Sequence, residues 1–311
     1  MKTVRDMTAG VLGLVLGFGV VVAAQGDAAA PLPGPSVLAP GAQVEKLAGD
    51  FIFTEGPTSD RKGNVYFVDQ DNNRIMEWNT DGKLSTWMQP SNYSNGMTTD
   101  WKGHLYATAD LKNEMWRIDL KTKKVTPLFN TYDGKLLNGP NDVWVQPTTG
   151  RVYFTDPYYR RKWWTRGPSE NPQGAYVYLP DQKKLVRVID DMQQANGIIG
   201  TPDGKKLYVA DIRGRQTFVY DINPDGTLGN KTLFCDSGSD GMTIDSEGNV
   251  YLSSGRAVQV YDKTGKHIES IPVPEVPSNM CFGGKDMKTL FITARTGFYA
   301  VKTRVKGVGP Q

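Results

Sequence analysis

One short motif recurs six times along the chain, at intervals of 39 to 55 residues. Each copy opens with a polar residue and leads through an Asp- or Gly-containing turn into an apolar run such as Val65-Tyr66-Phe67. Repeats of about 40–45 residues that contain four short strands are typical of β-propeller blades. We therefore predict an all-β protein that folds as a six-bladed β-propeller. The polar residues that open the motifs are Glu55, Asn95, Asn141, Asn196, Asp240 and Asn279.

The last repeat contains three predicted strands, one fewer than a complete blade. These strands lie at residues 279–283, 289–294 and 298–302, whereas residues 43–47 precede the first motif and have no blade of their own. We predict that this N-terminal segment joins the last blade as its outer strand and closes the ring. Closure pairs the strand edges that would otherwise be exposed.

The composition supports a turn-rich β fold and excludes several functional classes. The chain contains 34 Gly and 19 Pro, and its 39% of hydrophobic residues suffice for a core. The net charge of +3 offers no strong positive field, so no nucleic-acid partner is expected. With two histidines and two cysteines, a histidine-rich metal site and a four-cysteine zinc site are excluded. The pairing of Cys235 with Cys281 and the oligomeric state are left open.

The N-terminus has the features of a targeting segment. Lys2 and Arg5 precede an apolar run at residues 9–24, which is shorter than the roughly 20 residues that a membrane-spanning helix needs. We predict a signal peptide over 1–24 with cleavage near Ala24, a linker over 25–42 and a catalytic propeller domain over 43–311. Cleavage within 28–30 and an uncleaved membrane anchor are the alternatives. The expected location is periplasmic or secreted, with no membrane contact after cleavage.

The six motif-opening residues are predicted to face one another, because the first strand of each propeller blade lines the central axis. Carboxylates and carboxamides gathered there make an all-oxygen ligand set, which hard divalent cations prefer. Ca²⁺ is the expected cation, with Mg²⁺, Mn²⁺ and Zn²⁺ as alternatives. In the other interpretation these residues only cap turns, since Asn-Gly and Asp-Gly are common turn pairs. Glu55 does not fit that rule.

The longest interval between motifs contains an aromatic and basic segment at residues 157–174. Loops of this length are usually functional or disordered, and the aromatic residues argue against disorder. We predict a partial lid over the mouth of the central channel. Tyr158 and Trp163 are expected to contact the faces of a sugar ring, and Arg160 its hydroxyls or a carboxylate. Packing against a blade or against a partner chain is the alternative.

Several motifs recur in a specific order and spacing. They are Glu55-Gly56-Pro57, Pro140-Asn141-Asp142-Val143, Tyr153-Phe154-Thr155-Asp156-Pro157, Asn196-Gly197 with Pro202-Asp203-Gly204-Lys205, and Asp240-Gly241-Met242. With these motifs the chain resembles the SMP-30/gluconolactonase (LRE-like) family of six-bladed propeller lactonases over roughly residues 50–303. The resemblance implies a divalent metal on Glu55, Asn196 and Asp240, with Asn141 near the metal or the substrate. Many relatives carry a histidine-glycine pair where this chain has Asp110-Leu111-Lys112, which leaves the substrate's identity open.

The resemblance leads to a functional hypothesis, the metal-dependent hydrolysis of a sugar-type lactone. A cation would polarise the ring carbonyl of this small-molecule substrate. Asp240 is the best candidate for the base that guides the attacking water, and Asp142 is the alternative. Asn141 is placed with them in the catalytic set and, like Asn95, is expected to hold substrate hydroxyls. A lactonase or esterase for non-sugar esters and a non-catalytic, ligand-binding propeller are the remaining alternatives.

Overall fold

The computed structural model describes residues 36–310, and the regular structure in this range consists of β-strands. The predicted signal peptide at 1–24 and most of the predicted linker lie outside the described residues. In the described part of the chain, no helix has both the length and the apolar character to span a membrane. Cys235 and Cys281 are both buried and free.

Six sheets of four antiparallel strands follow one another along the chain, and they confirm the predicted six-bladed propeller. The first strand, β1 (Glu45–Ala48), precedes blade I. Blade I comprises β2 (Thr54–Ser59), β3 (Val65–Asp69), β4 (Arg74–Trp78) and β5 (Leu84–Met88). Blade II comprises β6 (Ser94–Thr99), β7 (His104–Ala109), β8 (Glu114–Asp119) and β9 (Val125–Phe129). A two-stranded hairpin follows it, formed by β10 (Thr131–Tyr132) and β11 (Lys135–Leu136).

The second half of the propeller repeats the same four-stranded plan. Blade III comprises β12 (Val143–Val145), β13 (Val152–Thr155), β14 (Ala175–Leu179) and β15 (Lys184–Ile189). Blade IV comprises β16 (Ala195–Gly200), β17 (Lys206–Asp211), β18 (Gln216–Ile222) and β19 (Leu228–Cys235). Blade V comprises β20 (Met242–Ile244), β21 (Val250–Ser254), β22 (Ala257–Tyr261) and β23 (His267–Pro272). Blade VI comprises β24 (Pro277–Gly283), β25 (Thr289–Ala294) and β26 (Gly297–Lys302), to which β1 is added.

The ring closes between blades VI and I, as predicted. Strand β1 pairs with β26 in antiparallel register, with Glu45 opposite Ala300 and Lys46 opposite Tyr299. Across the same junction Phe67 of blade I stacks on Phe298 of blade VI, with ring centroids 4.2 Å apart. Stacked and buried aromatic pairs contribute about 0.5–1.5 kcal/mol beyond the area they bury. Hydrogen bonds and apolar packing therefore both stabilise the closure.

Residues 36–42, which the sequence assigned to a linker, pack against the propeller. Val37 is buried in the core of blades V and VI, and its N–H donates to Glu269 at 2.7 Å. Leu38 forms a bridge with Thr303 in the C-terminal segment. The apolar pair Val37-Leu38 explains the difference, because burying these side chains favours a fixed position over a solvated one.

Local turn chemistry sets the register between the first two strands of several blades. In blade V, Asp245 accepts hydrogen bonds from the backbone N–H groups of Glu247 and Asn249, each at 2.9 Å. In blade I, Asp60 accepts in the same way from Lys62 and Asn64. Gly63 in the blade I turn has a φ of 89°, a conformation that only glycine adopts at little cost. These short turns hold each inner strand in place beside its neighbour.

Candidate metal and active site at the propeller axis

The six motif-opening residues lie at or beside the starts of the inner strands; Asp240 is half-buried and the other five are buried. Glu55 is 2% exposed and Asn196 is fully buried. Contacts link members of adjacent blades, since the side-chain amide of Asn196 donates to Asp240 Oδ1 at 2.7 Å. The backbone N–H of Gly96 likewise donates to the carbonyl of Asn141 at 2.9 Å. These contacts form because the motifs occupy equivalent positions in the repeats.

The glycine that follows most motif-opening residues is required by close approach between blades. A Cβ on Gly96 would lie 2.1 Å from the carbonyl oxygen of Asn141, and a Cβ on Gly241 would lie 1.9 Å from Cγ of Asn279. No real Cβ fits at such distances, so any larger residue would push the inner strands apart. The Asn-Gly and Asp-Gly pairs of the motif thus reflect crowding at the axis, in addition to the turn preference inferred from the sequence.

Three carboxyl groups share this buried site. Burial raises the pKa of Glu55 well above its usual range, and repulsion from Asp240 and then Asp142 raises it further. Burial and the charge of Asp240 likewise raise the pKa of Asp142. Burial raises the pKa of Asp240 to about 6, while the Asn196 amide and the charges of Arg161 and Arg295 oppose the shift. Crowded buried acids of this kind are stabilised by protons or by a cation.

Two carboxamide oxygens at the same site lack a hydrogen-bond partner. Asn196 Oδ1 and Asn95 Oδ1 are buried and unpaired, although the amide nitrogen of Asn196 donates to Asp240 and that of Asn95 donates to Gln70. A buried oxygen without a donor costs about 1–3 kcal/mol. Within residues 36–310 no three His, Cys, Asp or Glu side chains form a metal-ligand cluster by themselves. A cation at the axis would therefore take carboxamide as well as carboxylate oxygens, and Glu55, Asn196 and Asp240 fit that requirement.

Asp142 and Asp240 face different spaces, although the sequence offered both as the catalytic base. Asp142 accepts a hydrogen bond from Asn279 at 3.1 Å and lines a narrow internal channel of about 70 Å³ beside Met97 and Met242. Asp240 borders a cavity of about 480 Å³ that opens at the ends of blades IV, V and VI. Only Asp240 therefore lies where a sugar-sized molecule can approach. Asn141 is also buried, and its backbone carbonyl accepts from Gly96 and from the Thr108 hydroxyl.

We call residues 157–174, between β13 and β14, the lid segment. It contacts blade II through Arg161, whose guanidinium forms a 2.7 Å ion pair with the buried Asp110. The indole N–H of Trp164 donates to the Asp110 carbonyl at 2.6 Å. At the axis, the Tyr159 hydroxyl accepts a hydrogen bond from Asn196 at 2.9 Å. The lid segment thus packs on a neighbouring blade and also reaches an axial residue, which combines the two interpretations of the sequence.

The structure places the predicted substrate-binding residues of the lid segment differently. Arg160 is exposed, and Tyr158 packs beside Trp164 with ring centroids 6.0 Å apart. Trp163 stacks on Tyr93 at 4.2 Å, so one of its faces is already covered. The residues brought toward the axis are the neighbours Tyr159 and Arg161, which the sequence analysis missed. No periodicity in the sequence indicates which side chains of an irregular loop point inward.

Asp110 follows the second strand of blade II and is buried. Burial raises its pKa to about 6, and the charges of Arg161 and Arg166 oppose that shift. Arg166 also donates to the backbone carbonyls of Leu137 and Asn138. The acid at this position therefore holds the lid segment in place.

Comparison with known proteins shows the family to which the chain belongs. The family described as the SMP-30/gluconolactonase/LRE-like region matches residues 53–296. A gluconolactonase of Zymomonas mobilis is 29% identical over 295 residues, covering 85% of this chain and 82% of its own length. The solved gluconolactonase of Xanthomonas campestris superposes with a TM-score of 0.79 at 26% identity, covering 86% of this chain and 91% of that one.

A calcium-binding protein, regucalcin from Agrobacterium tumefaciens, shares the fold. Its solved structure superposes with a TM-score of 0.71 at 20% identity and covers 88% of this chain and 96% of its own. At that identity the likeness concerns the fold. The predicted propeller and the predicted family are both confirmed by these matches.

Proposed function

We propose that this chain, which belongs to the SMP-30/gluconolactonase/LRE-like family, is a divalent-cation-dependent hydrolase that opens a sugar-type lactone. The observation that carries the proposal is the axial site. There, Glu55, Asp142 and Asp240 act on one another electrostatically, the carboxamide oxygens of Asn95 and Asn196 are unpaired, and Asp240 borders an open cavity. The similarity to gluconolactonases along most of the chain supports the choice of a lactone.

Glu55, Asn196 and Asp240 would hold the cation, with Asn141 close by. Their ligand atoms are all oxygens, which favours Ca²⁺ over softer metals, and Mg²⁺ and Mn²⁺ follow it in preference. A bound divalent cation supplies Lewis acidity, which polarises an ester carbonyl and stabilises negative charge on its oxygen. It would also relieve the repulsion from Asp240 that helps to raise the pKa values of Glu55 and Asp142.

The protein's own residues position the substrate and move the proton. Asp240 accepts the proton of the attacking water, whose oxygen bonds to the lactone carbonyl carbon. The ring C–O bond then breaks, and the proton passes from Asp240 to the departing ring oxygen, leaving a hydroxy acid. Asn196 orients the Asp240 carboxylate through its 2.7 Å hydrogen bond. Asn95 and Asn141 hold substrate hydroxyls, and the lid segment excludes water from its side of the mouth.

The test is hydrolysis of glucono-1,5-lactone followed by pH-stat, with spontaneous hydrolysis subtracted. Activity should disappear after treatment with a chelator and return when Ca²⁺ is added back. Non-sugar lactones and aryl esters are assayed in parallel. Turnover of these compounds alone would indicate an esterase of another specificity. Binding of Ca²⁺ without turnover of any ester would indicate a non-catalytic propeller, and either result would overturn the proposal.

We also propose that the protein acts outside the cytoplasm. The proposal is supported by the basic start and the apolar run at 9–24, which are typical of secretory signals. Mass spectrometry of the protein from a periplasmic or secreted fraction should find a new N-terminus near Ala24. An intact Met1 on protein recovered only from the cytoplasm would contradict export.

A further inference from the structure

The cavity that borders Asp240 is framed by loops from three blades. It lies between the turns of blades IV, V and VI, and its walls include Ile212, Arg215, Gly238, Ser254 and Arg295. These turns are at the same ends of the blades as the lid segment, because all of them either join the second strand of a blade to its third or join consecutive blades. The cavity is thus the part of the mouth that the lid segment leaves open.

Arg215 occupies a backbone position where the four-residue turns of blades I and II have asparagine. It is the last residue of the four-residue turn between β17 and β18 and has a φ of 57°. The equivalent residues of blades I and II are Asn73 and Asn113, at 55° and 56°. Asparagine tolerates this left-handed conformation better than arginine does. The side chains of Asn73 and Asn113 also hydrogen-bond to neighbouring loops, whereas the Arg215 side chain forms no hydrogen bond or ion pair within residues 36–310.

Arg295 likewise occupies a left-handed turn position at which the equivalent two-residue turn of blade V has glycine. It opens the turn between β25 and β26 with a φ of 46°, and the equivalent residue in blade V is Gly255, at 65°. Glycine is the residue that adopts such a conformation without strain. The guanidinium of Arg295 lies 5.9 Å from the ring of Phe53 and, among the described residues, has no carboxylate partner. Two turns from different blades therefore accept backbone strain and place an unpaired arginine at the same cavity.

The charges around this cavity leave the two arginines available to a ligand. Asp240 belongs to the axial set, whose negative charge a bound cation would offset. Asp236 is the other acid on the cavity wall, and it is exposed and forms no ion pair in the described part of the chain. Strained backbone is retained mainly where a functional side chain must be presented in a fixed direction. Guanidinium groups pair with carboxylate and phosphate in a planar, bidentate geometry.

We propose that this cavity is an anion subsite, and that the preferred substrates are lactones carrying a second, negatively charged group such as a carboxylate or a phosphate. Arg215 and Arg295 bind that group while the lactone ring lies against Asp240. This inference rests on the proposed lactonase function. It specifies the class of lactone, which the family resemblance leaves open.

A matched pair of substrates tests the proposal. D-glucaro-1,4-lactone differs from D-glucono-1,4-lactone in carrying a carboxylate where the latter has a hydroxymethyl group. The wild-type protein should hydrolyse the anionic lactone with a kcat/KM at least about tenfold higher, the effect of one charge-assisted hydrogen bond. Arg215→Gln and Arg295→Gln should each remove most of this ratio, because each lowers kcat/KM for the anionic lactone by about tenfold more than for the neutral one.

Arg213→Gln is the control. Arg213 is exposed in the same turn as Arg215 but does not line the cavity, so this variant loses the same charge without losing the contact. It should keep the wild-type ratio. Calorimetric titration with glucarate gives a readout that is independent of turnover, and its affinity should fall in the Arg215 and Arg295 variants alone.

The outcomes separate the two proposals. If the neutral lactone is hydrolysed but no anionic preference exists, or if Arg213→Gln reduces the ratio as much as the other two variants, the anion subsite is overturned and the lactonase function stands. If neither lactone is hydrolysed and glucarate does not bind, both proposals fail. Loss of the ratio in the two cavity variants alone supports the subsite.

Discussion

The lid segment and the open cavity approach the same axial carboxylate from different sides, and both bring arginines to it. On the lid side Arg161 and Arg166 have structural partners. Arg161 pairs with Asp110 at 2.7 Å, and Arg166 donates to two backbone carbonyls. On the cavity side Arg215 and Arg295 have no ion-pair or hydrogen-bond partner for their side chains among the described residues.

This difference separates two uses of one residue type. A buried guanidinium with a carboxylate partner is held in place, and removing the partner leaves an uncompensated charge. An arginine that accepts backbone strain and has no partner is free to bind a ligand. The lid side is therefore expected to control access and rigidity, and the cavity side to control substrate choice. The axial acids between them should control the reaction itself.

The largest effect is expected at the axis, where both sides meet. Asp240→Asn should lower kcat by roughly 10²–10⁴-fold for neutral and anionic lactones alike, because it removes the proposed base. The measurement is pH-stat hydrolysis at saturating substrate. Asp236→Asn is the matched control, since it changes an exposed acid on the same cavity wall and should alter kcat by less than about threefold. Equal losses in both variants would contradict the assignment of Asp240.

The second-largest effect is expected where Asp110 holds the lid segment. Asp110→Asn should leave Arg161 without its charge partner and loosen residues 157–174, which raises KM by about tenfold with a smaller change in kcat. Limited proteolysis should cut within this segment faster than in the wild type. Asp71→Asn removes the ion pair with the largely exposed Lys162 and is the control, because exposed ion pairs contribute little. An unchanged KM and an unchanged cleavage rate would show that Asp110 does not hold the lid segment.

A buried acid beneath the lid segment gives a pH-dependent effect. Asp156 is fully buried and accepts the N–H groups of Asn138 and Gly139, and burial raises its pKa to about 7. Because the folded protein binds this proton more tightly than the unfolded chain, the contribution of Asp156 to the free energy of unfolding is fully present below about pH 4 and is lost as the pH rises to about 7. Asp156→Asn mimics the protonated group and should reduce that loss by on the order of 1–2 kcal/mol.

Urea unfolding at pH 5 and pH 7.5 measures this difference. Asp69→Asn is the equivalent change in blade I, where the acid forms a 2.8 Å ion pair with Arg74. It should lower the free energy of unfolding at both pH values, because the arginine loses its partner. If Asp156→Asn left the pH dependence of unfolding unchanged, the charge of Asp156 would not contribute to it.

The smallest effect is expected at the two turns that carry Arg215 and Arg295 beside the open cavity. Arg295→Gly and Arg215→Asn restore the residue types of the equivalent turns and should raise the free energy of unfolding by about 0.5–1 kcal/mol each. The same variants should lose the preference for the anionic lactone. The Gln variants lose the arginine but keep a residue that is strained at this φ. The difference in melting temperature between each relieved variant and the Gln variant at the same position therefore measures the contribution of the backbone strain. A lower melting temperature in both relieved variants would contradict the comparison of the two sides.

The sequence allowed the fold and the axial residues to be predicted because both follow from the repeat. A constant register brings Glu55, Asn196 and Asp240 to equivalent positions, so their convergence needs no knowledge of the loops. The loops obey no such rule, and the inward side chains proved to be Tyr159 and Arg161. A comparison of equivalent turns would have singled out Arg215 and Arg295, since asparagine or glycine fills those positions elsewhere.

The most direct test of the account is a crystal structure of the protein soaked in Ca²⁺. The account predicts one ion at the axis, with oxygen atoms of Glu55, Asn196 and Asp240 at about 2.3–2.6 Å from it. An ion bound elsewhere, or an axis where Asn196 Oδ1 still has no partner in saturating Ca²⁺, would contradict it.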